Sequence, residues 1–169
     1  MLRLAVCTLV AALAACSSSS APLAASAADA ARASEEVSRV LDDWHDAAAR
    51  SDEPRYFSHF AADGVFLGTD ATERWSSSEL RAYAHPRFSE GRGWVMRSLR
   101  RSISLSSDAS IAWFDEDLQA KNLGAARGSG VLVRGADGVF KIAQYNLAIT
   151  VPNARFAAVK AVLDAASER

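Results

Sequence analysis

YFSHFAADGVFLGTDATERW, Tyr56 to Trp75, changes character twice in twenty residues. Tyr56, Phe57 and Phe60 form the apolar body of a short helix. It opens after the break SDEP (Ser51–Pro54), with Pro54 in its first turn, where the missing N–H goes unused. ADG (Ala62–Gly64) is a turn signal that closes this helix, and VFLG reads as a short strand. TDATERW then runs from the strand end into SSSEL. Ser76 and Glu79 have capping-box spacing, so a third helix starts there and carries Leu80 and Tyr83. His85–Pro86 ends or bends it, because a residue before proline avoids helical angles.

Working outward, Ser34 is placed to cap a first helix, with Glu35 and Glu36 complementing its positive end. Val37, Val40, Leu41, Trp44 and Ala48 then fall on one stripe. Downstream, four strand-like runs are separated by turn signals such as SSD and GADG. They are Gly93–Ser107, Ser110–Ala120, Gly128–Gly135 and Gly138–Thr150. Pro152 stops the last of them, and Asn153 is placed to cap a final helix striped by Phe156, Val159, Val162 and Leu163. Helices followed by a meander of strands predict an α+β domain, with helices on one face of a mostly antiparallel sheet.

The formal net charge of -1 gives no reason to expect nucleic acid as a partner. The one basic cluster, RSLRR (Arg97–Arg101), reads as the exposed face of a strand. At the N-terminus, Arg3 and the uncharged run Leu4–Ala14 have the form of a signal peptide. LAAC (Leu13–Cys16) resembles the lipobox of bacterial lipoproteins, which implies cleavage before Cys16 and lipid on that cysteine. An ordinary secretory signal cut near AASA (Ala24–Ala27) is the alternative. The expected organisation is a leader over residues 1–16, a flexible Ser/Ala tether over 17–33 and a domain over 34–169. The address is the cell envelope, as a periplasm-facing outer-membrane lipoprotein held to the membrane by its lipid alone. Cys7 would leave with the leader, so the domain has no thiol for a disulfide, a nucleophile or a metal.

As a set, YFSHFAADGVFLGTDATERW, AWFDEDL, RGSGVL and FKIAQYNL resemble the SnoaL-like proteins of the nuclear transport factor 2-like superfamily. The resemblance covers about Ser34 to Asn153; Phe140 stands where relatives often carry tryptophan. It implies a strongly curved sheet wrapped by helices into a cone. The interior of such a cone often holds a small molecule, and its outer sheet face often makes a homodimer. The superfamily hosts isomerases, dehydratases, cyclases, hydrolases and many non-enzymes, so activity must be argued from residues.

Asp70 and Glu73 could act as a base in a buried turn, or Asp70 could brace that turn while Glu73 and Arg74 form ion pairs and Trp75 plugs the cone floor. In AWFDEDL, alternation puts Trp113, Asp115 and Asp117 on one face and Phe114, Glu116 and Leu118 on the other. One of Asp115 and Glu116 therefore points into the cone, and Asp115 is taken as the candidate; the alternative is a solvated edge or an ion pair with Arg127. Alternation also groups Tyr145 with Lys141 and Ala143, although one bulge would swap the faces. His45, His59 and His85 have no metal-ligand spacing. His59, between Phe57 and Phe60, is the histidine expected to reach the cone.

The leading expectation is a module that binds a small, largely apolar molecule without catalysis, cofactor or metal. Its expected contacts are His59, Trp75, Tyr83, Trp113, Asp115, Arg127 and Tyr145. An acid–base enzyme of isomerase, dehydratase or hydrolase type, using Asp70, Asp115 or His59, is the first alternative. A structural homodimer with a filled core is the second.

Overall fold

A computed structural model describes residues 24–167. The leader, Cys16 and the start of the tether lie outside the described residues. Helix α1 spans Ala27–Ala49, with Ser26 rather than Ser34 as its cap, its hydroxyl accepting from the Asp29 N–H. The stretch expected as tether thus becomes helical from Ala27 onward. Alanine is the best helix former, Ala33 is buried, and the Ala25 N–H bonds the Ser107 carbonyl at 2.7 Å. Helix α2 (Glu53–Ser58) is capped by Asp52.

Strand β1 (Phe60–Leu67) starts earlier than expected and absorbs the Ala62–Gly64 turn signal. The reason is its parallel pairing with β6 (Phe140–Ile149). Phe60 pairs with Ile142 and Val65 with Gln144, and an irregularity between them takes up the extra residues. Strand β2 (Arg74–Ser76) pairs antiparallel with β1 and leads into α3 (Ser77–Ser89) through the expected capping box of Ser76 and Glu79. Helix α3 does not stop at His85 but runs through Pro86. The carbonyl that Pro86 leaves unbonded belongs to exposed Ala82, where water can satisfy it.

Strands β3 (Met96–Leu105), β4 (Ile111–Ala120), β5 (Gly124–Arg134) and β6 form the antiparallel meander. The sheet order is β2-β1-β6-β5-β4-β3. This is the α+β architecture expected, a curved sheet with α1, α2 and α3 on its inner face. The departure from strict alternation that matters for the site is in β6. The β5–β6 register slips between Val131 and Leu132, and Ala143 is the extra residue. Phe140 and Ile142 point inward before the bulge, Tyr145 and Leu147 after it. Tyr145 is therefore buried and does not share a face with Lys141.

The core is an aromatic column under α1. Trp44 lies 4.5 Å from the Tyr145 ring and 5.1 Å from Tyr56 by centroids. Val37 and Leu41 continue the buried stripe. The last helix behaves differently. Asn153–Arg155 form a single 3-10 turn, and α4 (Phe156–Ser167) follows with residues 156–165 all exposed, including Phe156 and Val162.

Candidate functional site

Alternation along β4 brings Ala112, Phe114, Glu116, Leu118 and Ala120 to the inner face. Glu116, not Asp115, is the acid inside, and it is 0% exposed. An isolated buried carboxylate costs several kcal/mol in lost hydration, so it must be surrounded by donors. Three side chains supply them. His45 on α1 donates from Nε2 to Oε1 over 2.7 Å, and Tyr145 on β6 donates its hydroxyl to the same oxygen over 3.1 Å. On β3, Arg101 brings Nε within 2.9 Å and Nη2 within 2.8 Å of Oε2. Because a carboxylate only accepts, the His45 Nε2 carries the proton.

Arg101 reaches further. Its Nη1 donates to the Ser38 carbonyl, the Ser38 hydroxyl and Asp42 Oδ1, all on α1, at 3.0, 3.0 and 2.9 Å. One guanidinium thus rivets α1 to β3 and β4. The RSLRR cluster is not wholly an exposed face, since the Arg101 side chain is 7% exposed. Its parity with Ile103 and Leu105, both partly buried, is the sequence signal that marks it as inward. The strongest influence on Glu116 is burial, which favours protonation. The hydrogen bonds and charges of His45 and Arg101 together outweigh it and hold the carboxyl at about 2.

Phe66 closes this network off from what lies beyond. Its ring stacks on Tyr145 at 5.6 Å and 13° on one side and on Trp75 at 6.1 Å and 19° on the other. Past Phe66 is a pocket of about 220 Å³ with aromatic walls. Trp75 and Tyr83 stack at 4.6 Å, and Trp94 lies nearly parallel to Tyr83 at 6.4 Å. Tyr56, Leu80, Met96, Leu123 and Leu147 complete the apolar lining, and Thr69, Glu73, Arg87 and Asn122 are its polar members. The segment before β3 sets Trp94. Its N–H bonds the Ala48 carbonyl at the end of α1 over 3.0 Å, and a Cβ on neighbouring Gly93 would overlap that same carbonyl. Tyr83, at 52% exposure, is the open lip.

Of the expected contacts, the structure brings Trp75 and Tyr83 to this pocket. Trp75 lines the wall and does not plug a floor. Tyr145 lies behind Phe66, in the core. Trp113 and Asp115 are exposed on the outer sheet face, because the register pairs them with Val131 and Ser129 and the buried face belongs to their neighbours. Arg127 is exposed and 3.9 Å from Asp117. His59 turns the other way, toward α1, where its Nε2 is 2.8 Å from Asp43 Oδ2, while Arg55 pairs with Asp43 and Asp46. Burial lowers the His59 pKa, against the opposing pull of Asp43.

Asp70 is exposed, and its Oδ1 accepts from the Thr72 N–H at 2.8 Å and hydroxyl at 2.6 Å, bracing the turn. The hydrogen bonds from Thr72 hold its carboxyl below the ordinary range. Glu73 accepts from the Asp70 N–H at 3.2 Å, and neither it nor Arg74 forms an ion pair among the described residues. Among the described residues no cluster of His, Cys, Asp and Glu could hold a metal ion. Only Trp75 and Tyr83 of the pocket lining were expected as contacts; among those that sequence reasoning missed are Phe66, Trp94 and Arg87. Trp94 sits between helix and strand, and no periodicity governs it there.

The family model of the SnoaL-like domain matches residues 37–152. No curated protein matches the chain in sequence. Solved structures share its fold at low identity. A nuclear transport factor 2-like protein of unknown function from Pseudomonas putida KT2440 is 12% identical with a TM-score of 0.61, covering 73% of this chain and 90% of its own. A candidate scytalone dehydratase from Novosphingobium aromaticivorans is 13% identical with a TM-score of 0.59, covering 70% and 84%. A candidate ketosteroid isomerase from Shewanella frigidimarina is 17% identical with a TM-score of 0.54, covering 69% and 97%. With more than half of its length matched and its helices laid in a curved sheet of this kind, the chain belongs to the SnoaL-like domain family, on the nuclear transport factor 2-like fold.

Proposed function

We propose that the domain binds a small, flat, mostly apolar molecule in the aromatic pocket, without turning it over. The observation that carries this reading is the near-parallel set Phe66, Trp75, Tyr83 and Trp94 around a space that is not filled by the protein. Parallel aromatic faces favour a flat guest by stacking and by removing its apolar surface from water. The volume of about 220 Å³ is below the roughly 300 Å³ lower bound of drug-sized sites, which suits one or two rings.

Catalysis is the weaker reading for a chemical reason. The acid inside the fold, Glu116, is held ionised by three donors and screened from the pocket by Phe66, so it is a poor proton acceptor. Asp70 and Asp115 face solvent, and His59 faces Asp43. Names carried by structural neighbours at such low identity do not transfer a reaction to this chain.

The leader reading adds an address: a lipid on Cys16 would hold the pocket at the envelope. Metabolic labelling with a fatty acid tests that part, with a Cys16→Ser variant as the unlabelled control. The binding reading is tested by native mass spectrometry of the chain isolated from its own host. A discrete added mass, lost in the Trp75→Ala variant, is expected; an added mass that survives the substitution would place the ligand elsewhere.

A further inference from the structure

Arg87 lies in the last turn of α3, on the wall between the aromatic pocket and a second groove lined by Ala49, Gly93, Trp94 and Lys121. Its side chain has no ion pair and no hydrogen bond among the described residues, and its Nε is buried without an acceptor. Three other arginines that reach the helices are engaged: Arg55 with Asp43, Arg81 with Glu53 and Arg101 through its Nε with Glu116. A buried donor without a partner is uncommon in a folded protein and costly to keep, and a guanidinium is shaped to hold a carboxylate.

The surroundings agree in charge. Lys121, beside Arg87 on the groove, has no acidic partner among the described residues, and Asn122 lines both spaces with an amide able to donate. The pocket's one acid, Glu73, is turned into the β1–β2 turn, where it accepts from the Asp70 N–H. It neutralises neither cation and leaves an acceptor at the opposite polar end.

We propose that the ligand is an aromatic carboxylate of one or two rings, its ring held against Trp75, Tyr83 and Trp94 and its carboxylate held by Arg87. This rests on the binding reading above and adds the anionic group. The approach of such a ligand is favoured by the positive groove beside the pocket.

The test compares three probes by calorimetry on the full chain: 2-naphthoate, its neutral carboxamide, and cyclohexanecarboxylate. Naphthoate should bind about tenfold or more tightly than the carboxamide, the difference a charge-assisted hydrogen bond makes, and cyclohexanecarboxylate should bind more weakly than naphthoate. Arg87→Gln should lower naphthoate affinity far more than carboxamide affinity and so erase the preference for the acid, and Arg87→Lys should restore part of it. Melting curves check that both variants are folded. If the carboxamide binds as well as the acid, or if Arg87→Gln keeps the preference, the anionic assignment is overturned while the pocket stands. If none of the three binds, the pocket reading falls, and this proposal with it.

Discussion

The Tyr145 hydroxyl reaches Glu116 Oε1 over 3.1 Å by passing Gly128, which pairs with Glu116 across the β4–β5 ladder. A Cβ at Gly128 would overlap that hydroxyl and crowd the Glu116 side chain. RGSGVL therefore has a glycine here to make room for a polar contact two strands wide. Gly128→Ala should lower the unfolding free energy by about 1–3 kcal/mol, the cost of over-filling a core. Denaturant titration reads it. Tyr145→Phe combined with Gly128→Ala should lose less than the sum of the two.

Glu116 is the centre of a buried charged network of His45, Tyr145 and Arg101. Glu116→Ala leaves Arg101 buried and facing only Asp42 and Ser38, and should destabilise the domain by about 3–5 kcal/mol. Urea melts would measure this, and a loss under 1 kcal/mol would mean that the network contributes specificity rather than stability.

The same carboxylate makes stability depend on acid. Its native pKa of about 2 lies below the 4.5 of a free glutamate, so its contribution is fully present above pH 4.5. That contribution is lost as pH falls toward 2, because the unfolded chain binds the proton first. Thermal melts between pH 6 and pH 2 should therefore show a drop in Tm that Glu116→Gln makes shallower.

Tyr83 separates binding from folding. Tyr83 is half exposed, so Tyr83→Ala should cost less than about 1 kcal/mol of stability. Removing one face of the stack should still weaken binding of a flat ligand by about tenfold. Calorimetry on the variant, beside its melting curve, checks both halves.

The outer face of the sheet carries Trp113 at 49% exposure, with Leu99, Ile111 and Ile149 also open. Trp113 and Ile111 lie near one end of β4, while Leu99 and Ile149 lie near the other, with Asp115 and Asp117 between; we propose that the homodimer expected of this face centres on Trp113. Sedimentation of the chain should give a dimer that Trp113→Asp converts to monomer; a monomeric parent would remove the proposal.

How much of this was legible beforehand varied with how local the cause is. The capping box of Ser76 and Glu79 was readable because its atoms lie three residues apart. The bracing role of Asp70 was readable from the same turn. Helix α1 was readable from its stripe, but its start was not, since the Ala25 bond to Ser107 comes from a distant loop. Alternation alone placed Glu116 on the side of Phe114 and Leu118, yet choosing between it and Asp115 required knowing which face α1 covers.

The helices, the meander of strands and the family were thus determined by the sequence itself, through periodicity, caps and turn residues that act over a few positions, whereas strand β2 was not. The tertiary structure decided which face of each strand is inside. One extra residue at Ala143 reverses the parity of β6 and brings Tyr145 to Glu116. It also decided that His59 serves Asp43 while Trp94 and Arg87 complete the pocket. Pairing register, bulges and the docking of α1 are set by contacts between residues far apart in the chain, and no short window of sequence contains both partners.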